Sequence, residues 1–129
     1  MSHRFELTVY YEDTDMGGIV YYANYLKFIE RARSTWVAQL GVDQLALQAR
    51  GVVFAVRSVQ ADYLAPARLG DQLEVVSQHK SSTPARWVLQ QEVQRAGQVL
   101  FTARVTIVAL SAAGKPTRLP AELRRNSNS

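Results

Sequence analysis

The 129-residue sequence predicts an α+β domain in which one antiparallel sheet packs on one long helix. A single segment, from about Asn24 to Leu40, has strong helical periodicity. The strand-like segments that follow it are joined by links short enough for hairpins. The last of them, 99–109, alternates apolar and more polar residues, as a half-buried antiparallel strand does.

The chain begins with a predicted strand and an acidic loop. Residues 4–11 are rich in β-branched and aromatic residues, which favour a strand. The loop that follows, EDTDMGG at 12–18, ends in Gly17 and Gly18, and both are free to adopt positive φ.

The helical segment predicts one wide apolar face that needs a sheet to cover it. Its apolar positions recur at steps of three and four: Tyr25, Phe28, Ile29, Ala32, Trp36 and Leu40. Gly41 stands where a left-handed C-cap residue belongs. Residues 43–51 predict a short second helix with Asp43 as its N-cap.

The rest of the chain predicts strands at 52–64, 72–80, 86–95 and 99–109, which with the first make a five-stranded sheet. Ala96-Gly97 predicts a tight hairpin, and the tail from about 112 is expected to fray. The later strands carry apolar residues on both faces, at 52–56 and at Val75 and Val76, and a single sheet leaves two edges. Both features predict that a second subunit covers part of the surface.

Composition limits the function classes. Apolar and charged contents of 47% and 20% are ordinary for a soluble globular chain. The net charge of +4 suits an anionic ligand, nucleic acid, or simply a soluble surface. The absence of cysteine excludes disulfides, thiolate metal sites and cysteine nucleophiles. Without a signal-peptide pattern or a long apolar stretch, we predict a cytoplasmic protein with no membrane span.

Closely spaced acidic residues in the loop could serve several chemistries. A calcium loop starting at Asp13 would place Gly17 and Asn24 at ligand positions, so that site is excluded. A haloacid-dehalogenase phosphatase needs a parallel sheet, and an aspartic protease needs Gly where Asp15 stands. A turn-forming carboxylate is the better interpretation of Asp13.

The surroundings of Asp15 match the needs of acyl transfer. A helix N-terminus offers free backbone N–H groups that can polarise a thioester carbonyl. Glycines just before it allow a ligand to approach the backbone, and an upstream carboxylate can be a nucleophile or activate water. His3 and His79 are expected to be surface residues rather than bases.

The segment YEDTDMGGIVYYANYLKFIERAR closely resembles the signature of the 4-hydroxybenzoyl-CoA thioesterase family, which includes the acyl-CoA thioesterases encoded with the bacterial Tol-Pal envelope system. The resemblance is strong over 9–37 and continues more loosely through 61–75 to the last strand. It implies the hotdog fold, in which an antiparallel sheet wraps a central helix. It also implies a homodimer or homotetramer with active sites at the subunit interface.

The resemblance also implies roles for residues of the loop. Asp15 matches the catalytic carboxylate, Gly18 the neighbouring glycine, and the Tyr22 N–H the group that polarises the carbonyl. Asn24 and Tyr25 match pocket or helix-start residues. Many Tol-Pal-associated relatives have His where this chain has Tyr22, so a mechanism that needs that histidine does not transfer.

Three further expectations concern the ligand. Coenzyme A is part of the substrate, so no separate cofactor is expected. Its phosphates call for basic residues at the rim, for which Arg57, Lys80 and Arg86 are candidates. Asp13 and Gly17 are placed with the substrate-binding residues, since one shapes the loop and the other lets the thioester reach the backbone.

Two basic residues of the helix are expected to have no part in the site. Arg31 and Arg33 are expected to pair with Glu30 or to face solvent.

Three competing functions stay open at this point. The first is a dehydratase of the same fold, which would be expected to need a histidine. The second is a scaffold that binds acyl thioesters or a protein partner without turnover, and the third is a nucleic-acid module, for which the basic residues are too dispersed.

Overall fold

A computed structural model of the chain describes residues 2–124. The long helix is sixteen residues, as predicted, and it ends before Gly41, whose φ of 93° is that of a left-handed C-cap. The elements in chain order are β1 Ser2–Thr8, a 3-10 turn Tyr11–Asp13, α1 Asn24–Gln39, α2 Gln44–Ala49, β2 Val53–Tyr63, β3 Gln72–Ser82, β4 Arg86–Arg95, β5 Gln98–Leu110, β6 Pro116–Thr117 and α3 Ala121–Arg124.

The sheet is antiparallel throughout, which confirms the predicted α+β class. Its strands follow the order β1-β3-β4-β5-β2, and the two-residue β6 extends it by pairing with β5. The turn between β4 and β5 has positive φ at both Ala96 and Gly97, the geometry that suits a right-twisted hairpin. Because β1 and β2 pair on one side only, they are the two long edges.

Helix α1 lies in the concave side of the sheet and carries the core. Phe28, Ile29, Ala32 and Trp36 are fully or almost fully buried, as their periodicity predicted. The inward row of β5 meets them, and Trp36 and Trp87 contact each other with ring centroids 5.4 Å apart. The helix is therefore held by one continuous apolar cluster.

A buried polar cluster joins the same helix to the sheet. Arg33 is buried, and its Nη1 donates to Oε1 of Gln91 at 3.0 Å. The Gln91 amide nitrogen donates in turn to the Ile29 carbonyl and to Ser77 Oγ. The expectation that Arg33 faces solvent was wrong, because its apolar neighbours on α1 draw the whole face inward and Gln91 supplies the acceptor that a buried guanidinium needs.

Two further boundaries differ from the predictions. The first strand ends at Thr8 rather than residue 11, because Tyr11 already begins the 3-10 turn. The tail was expected to fray from about 112, yet as far as Arg124 it forms β6 and α3, and Leu119 and Leu123 are buried. Those two leucines supply the packing that holds it. The final Asn-Ser-Asn-Ser lies outside the described residues.

Candidate active site

The acidic loop is built around Asp13. This residue is buried, and its Oδ2 accepts the Tyr10 N–H at 2.9 Å. Its carbonyl accepts from the Tyr21 N–H at 3.0 Å and from the Asn24 amide at 2.9 Å. Asp13 therefore ties the end of the first strand to the start of α1, and Asn24 completes that connection.

Asp15 stands at the tip of a tight hairpin. Its N–H donates to the Ile19 carbonyl at 2.9 Å, and its own carbonyl accepts from Gly18 at 3.0 Å. Gly18 has a φ of 77°, which only glycine adopts without strain. The hairpin holds the exposed Asp15 side chain at a defined place on the surface.

The carboxylate of Asp15 is oriented by its own loop. Oδ1 accepts the Gly17 N–H at 2.9 Å, and Oδ2 makes no hydrogen bond to any residue of 2–124. A Cβ on Gly17 would lie 3.3 Å from Oδ1. Gly17 does not adopt positive φ, so that expectation was wrong for this glycine; it provides space beside the carboxylate instead.

The start of α1 presents an unpaired backbone donor. Asn24 N–H donates to the Tyr21 carbonyl at 2.8 Å, whereas the Tyr22 N–H has no acceptor in the described part of the chain. Ala23, the N-cap residue, brings no side-chain cap. The first amides of a helix carry its positive dipole end, so this donor suits a partly negative oxygen.

Tyr63 and Tyr25 pack together at the start of α1. The Tyr63 hydroxyl donates to the Tyr22 carbonyl at 3.1 Å, and their rings meet edge to face. Burial, followed by the neighbouring phenols of Tyr22 and Tyr25, raises the pKa of Tyr63, so the hydroxyl keeps its proton. Tyr25 is buried, stacks on Phe101 and accepts the Ala67 N–H. Tyr25 is thus a buried core residue next to the candidate site.

A second loop, residues 66–71, runs against the hairpin. The Val20 N–H donates to the Ala67 carbonyl at 2.8 Å, and Leu69 N–H donates to Gly18 at 3.3 Å. The sequence predicted a turn here but not this pairing, and it missed both the 66–71 loop and Tyr63 as site residues. The Pro, Gly and Asp of the segment signalled the turn, but no sequence pattern signals which loop it meets.

The three predicted coenzyme A contacts are not gathered around Asp15 in one subunit. The site adjoins the start of β3, through the Val9–Asp71 backbone contact. Lys80 is eight residues further along β3, about 26 Å at the usual strand rise. Arg86 opens β4 at the same far end, and Arg57 is the extra residue of a bulge in edge strand β2.

A cavity also lies away from the loop. It has a volume of about 240 Å³ and sits between the second half of α1 and the beginning of β2. Apolar side chains such as Phe54 and Trp87 form its walls, and Glu30 and Arg33 bring charge to it. Burial lowers the pKa of Arg33, an effect partly opposed by the charge of Glu30.

The described residues hold neither a metal-binding cluster nor a membrane-spanning helix. Between residues 2 and 124, no three histidine, aspartate or glutamate side chains are grouped so that they could hold a metal ion. In the same range, no helix has the length and apolar content needed to cross a membrane.

The chain is similar to known thioesterases over almost its whole length. Residues 9–126 match the family model described as the thioesterase-like superfamily. The acyl-CoA thioester hydrolase YbgC of Escherichia coli O6:H1 is 40% identical over 119 residues, which cover 91% of this chain and 89% of that protein. The family match at 9–126 includes the loop and the helix on which the resemblance rested.

Solved structures agree with the fold. A probable thioesterase from Bartonella henselae superposes with a TM-score of 0.88 at 32% identity, covering 93% of this chain and all 100% of that one. A 1,4-dihydroxy-2-naphthoyl-CoA thioesterase from Synechocystis superposes with a TM-score of 0.89 over 100% of this chain and 99% of that one; at 22% identity it supports the fold alone. These matches confirm the predicted hotdog architecture. The chain belongs to the thioesterase-like superfamily.

Proposed function

We propose that this protein is an acyl-CoA thioester hydrolase, which converts an acyl-CoA and water to a carboxylic acid and free coenzyme A. One observation carries the proposal: an exposed Asp15 carboxylate with an unpaired oxygen stands in the same loop that leads to the unpaired Tyr22 N–H. The activity named for the Escherichia coli relative supports the same assignment.

The two groups have complementary tasks. The Tyr22 N–H, at the positive end of α1, donates to the thioester oxygen as negative charge develops there. A single donor of this kind contributes about 3 kcal/mol to lowering the barrier. The exposed position of the loop leaves room for the long coenzyme A chain to approach it.

Asp15 then acts on the carbonyl carbon in one of two ways. As a nucleophile, it forms an anhydride with the acyl group while the sulfur leaves as the thiolate, and water later cleaves the anhydride. As a general base, it takes a proton from the water that attacks, and that proton passes to the leaving sulfur. Both routes consume one water and give the same products.

Neither route needs a histidine. The chain has two histidines: His3 lies near the start of edge strand β1, and His79 lies near the end of the inner strand β3, so both are far from the loop. His3 stacks on Trp36, and His79 Nδ1 accepts the Trp87 indole N–H at 3.1 Å. This arrangement supports the roles proposed for Asp15 and Tyr22, although Tyr stands where many relatives have His.

We further propose that the working unit is a homodimer joined along β2. This edge exposes a concave apolar row in which Val56, Val59 and Tyr63 are 47%, 38% and 48% exposed. Antiparallel pairing of two β2 edges about a two-fold axis places the start of one strand beside the end of the other. The cavity near Phe54 would then lie beside the partner's catalytic loop.

The same pairing gives the basic residues a role. Arg86 and Lys80 lie at the end of the sheet where β2 begins, so a partner's loop would come to their side of the molecule. A site shared between two subunits therefore accounts for the separation of Asp15 from both the cavity and the basic residues. A homotetramer would be built from two such dimers.

The experiment is thiol release from a panel of short, long and aromatic acyl-CoAs. Because the chain has no cysteine, a thiol reagent reports only coenzyme A. We expect turnover by the wild type and a loss of about 100-fold or more in Asp15→Asn, whose amide is neither a nucleophile nor a base. Glu12→Gln, a neighbouring exposed acid with no assigned role, is the matched control.

A specific result would favour the scaffold function instead. If the wild type bound acyl-CoA but released no thiol, or if a folded Asp15→Asn variant kept the full rate, the hydrolase assignment would be wrong. The protein would then be a scaffold that binds acyl thioesters.

A further inference from the structure

We infer that Arg95 and Asp71, which take no part in the chemistry proposed above, are a positioning pair that sets the place of Asp15. The inference rests on the proposed function, because positioning has a catalytic meaning only if Asp15 acts on a thioester. It concerns residues at the end of β4 and the end of the 66–71 loop, away from the signature segment.

Arg95 closes the 66–71 loop at both ends. Its Nη1 donates to Oδ2 of Asp71 at 2.8 Å and to the Pro66 carbonyl at 3.3 Å. Asp71 Oδ2 also accepts the Arg68 N–H at 2.8 Å, inside the loop. One guanidinium thus fixes the first residue, the last residue and, through Asp71, the middle of this short segment.

The Arg95–Asp71 ion pair is partly buried. The side chains of Arg95 and Asp71 are 33% and 23% exposed. Partial burial alone would raise the pKa of the Asp71 carboxyl, but the Arg68 N–H, the Arg95 hydrogen bond and the Arg95 charge outweigh it and hold the pKa below its ordinary value. The carboxylate is charged at neutral pH, and its interaction with Arg95 stabilises the loop geometry.

The 66–71 loop in turn holds the hairpin that carries Asp15, residues 14–20, through backbone contacts. The segment Gly18–Val20 pairs with it through two hydrogen bonds, and Ile19 forms a bridge with Arg68. Ile19 also holds Asp15 directly, since the Asp15 N–H donates to the Ile19 carbonyl. A continuous chain of contacts therefore runs from Arg95 to Asp15.

The same loop reaches the other catalytic group. The Ala67 N–H donates to the Tyr25 hydroxyl at 3.1 Å, in the first turn of α1. Loop 66–71 thus contacts the carboxylate hairpin on one side and the helix that carries the Tyr22 N–H on the other. Because it touches both, it sets the distance between them, and a shift of about 1 Å in such a distance costs up to 100-fold in rate.

The test compares Arg95→Gln, Arg95→Lys, Asp71→Asn and the double variant Asp71→Asn/Arg95→Gln, with Arg104→Gln as control. Arg104 is exposed on the convex face of β5 and belongs to no part of the site. We expect Arg95→Gln to lower kcat by about 10- to 100-fold with KM nearly unchanged, since ligand contacts stay in place.

Two comparisons separate positioning from general destabilisation. Arg95→Lys keeps the charge and can donate to both oxygens, so it should recover much of kcat. The double variant should lose less than the two single losses combined, because both single variants remove the same Arg95–Asp71 contact. Arg104→Gln should match the wild type.

Hydrogen exchange gives a readout that does not depend on activity. In Arg95→Gln we expect faster exchange at the Val20 and Leu69 amides, which bond across the two loops, and unchanged exchange in β4 and β5. The inference is overturned if exchange at these amides and kcat both stay at wild-type values. If the wild type hydrolyses no acyl-CoA, the proposed function fails by itself, and the exchange data still decide whether Arg95 holds the loops together.

Discussion

Two aspartates two positions apart have different tasks at the scale of single residues. Asp13 is buried, and its Oδ2 accepts the Tyr10 N–H, so its carboxylate helps to hold the loop. Asp15 is exposed, and its bond to the Gly17 N–H leaves Oδ2 without a hydrogen bond to any residue of 2–124. Their spacing along the chain is that of a turn, and only the folded loop separates the buried carboxylate from the exposed one to which we assign the chemistry.

Gln91 is the residue whose loss should cost the most stability outside the apolar core. In Gln91→Leu, the buried Arg33 loses its acceptor and Ser77 loses its donor. Leaving such groups unsatisfied should lower the free energy of unfolding by about 3 kcal/mol. Urea unfolding at neutral pH measures it.

Gln90→Leu is the matched control for that measurement. Gln90 is one residue away on the opposite face of β4, where it donates to Thr102 Oγ1. It is only partly buried, so its loss should cost clearly less. Equal losses in the two variants would contradict the role given to the buried cluster.

At the scale of elements, the candidate site consists of a hairpin, a helix start and a loop that pair across large sequence distances. The hairpin 14–20 is local, and Asp15 with the two glycines that follow predicts it from the sequence. Its partner, loop 66–71, is about fifty residues away and joins it only because β3 begins beside the end of the first strand. The loop's stability depends on the Arg95–Asp71 pair.

That pair should make stability depend on acidity. The folded-state pKa of Asp71 lies below its ordinary value of 3.8, so its contribution is complete above that pH and disappears as pH falls through the folded pKa. The difference in unfolding free energy between wild type and Asp71→Asn should be constant near neutral pH and shrink in acid. Urea titrations at a series of pH values measure it, and a difference that does not change with pH would rule out the charge interaction.

At the scale of the whole molecule, the concave face of the sheet is wider than α1 can cover. The inward side chains of β1, β3 and β4 meet the helix, whereas the β2 row Val56, Val59 and Tyr63 stays partly exposed. Leu26 of α1 is exposed next to this uncovered row and lines the same shallow groove as Val56. An apolar edge of this kind is the expected interface for a second copy.

A charge in the middle of that edge should break the assembly. Val59→Lys puts an ammonium in the proposed interface, where burial without a partner is unfavourable, so we expect a monomer with little thioesterase activity. Sedimentation velocity and the thiol-release assay measure both effects. Glu6→Lys, on the opposite edge strand β1, should change neither. A Val59→Lys protein with wild-type assembly would contradict pairing along β2.

The sequence by itself determined the α+β class, the long helix, the hairpin turns and the acidic loop next to the helix start. These depend on local periodicity, on glycine conformations and on apolar alternation, all of which are set by residues close together in the sequence. Tertiary structure alone decided that Arg33 is buried, that the tail packs as far as Arg124, and that Arg95 reaches the 66–71 loop. Those outcomes depend on which distant segments meet, and burial is a property of the packed fold, not of a sequence window.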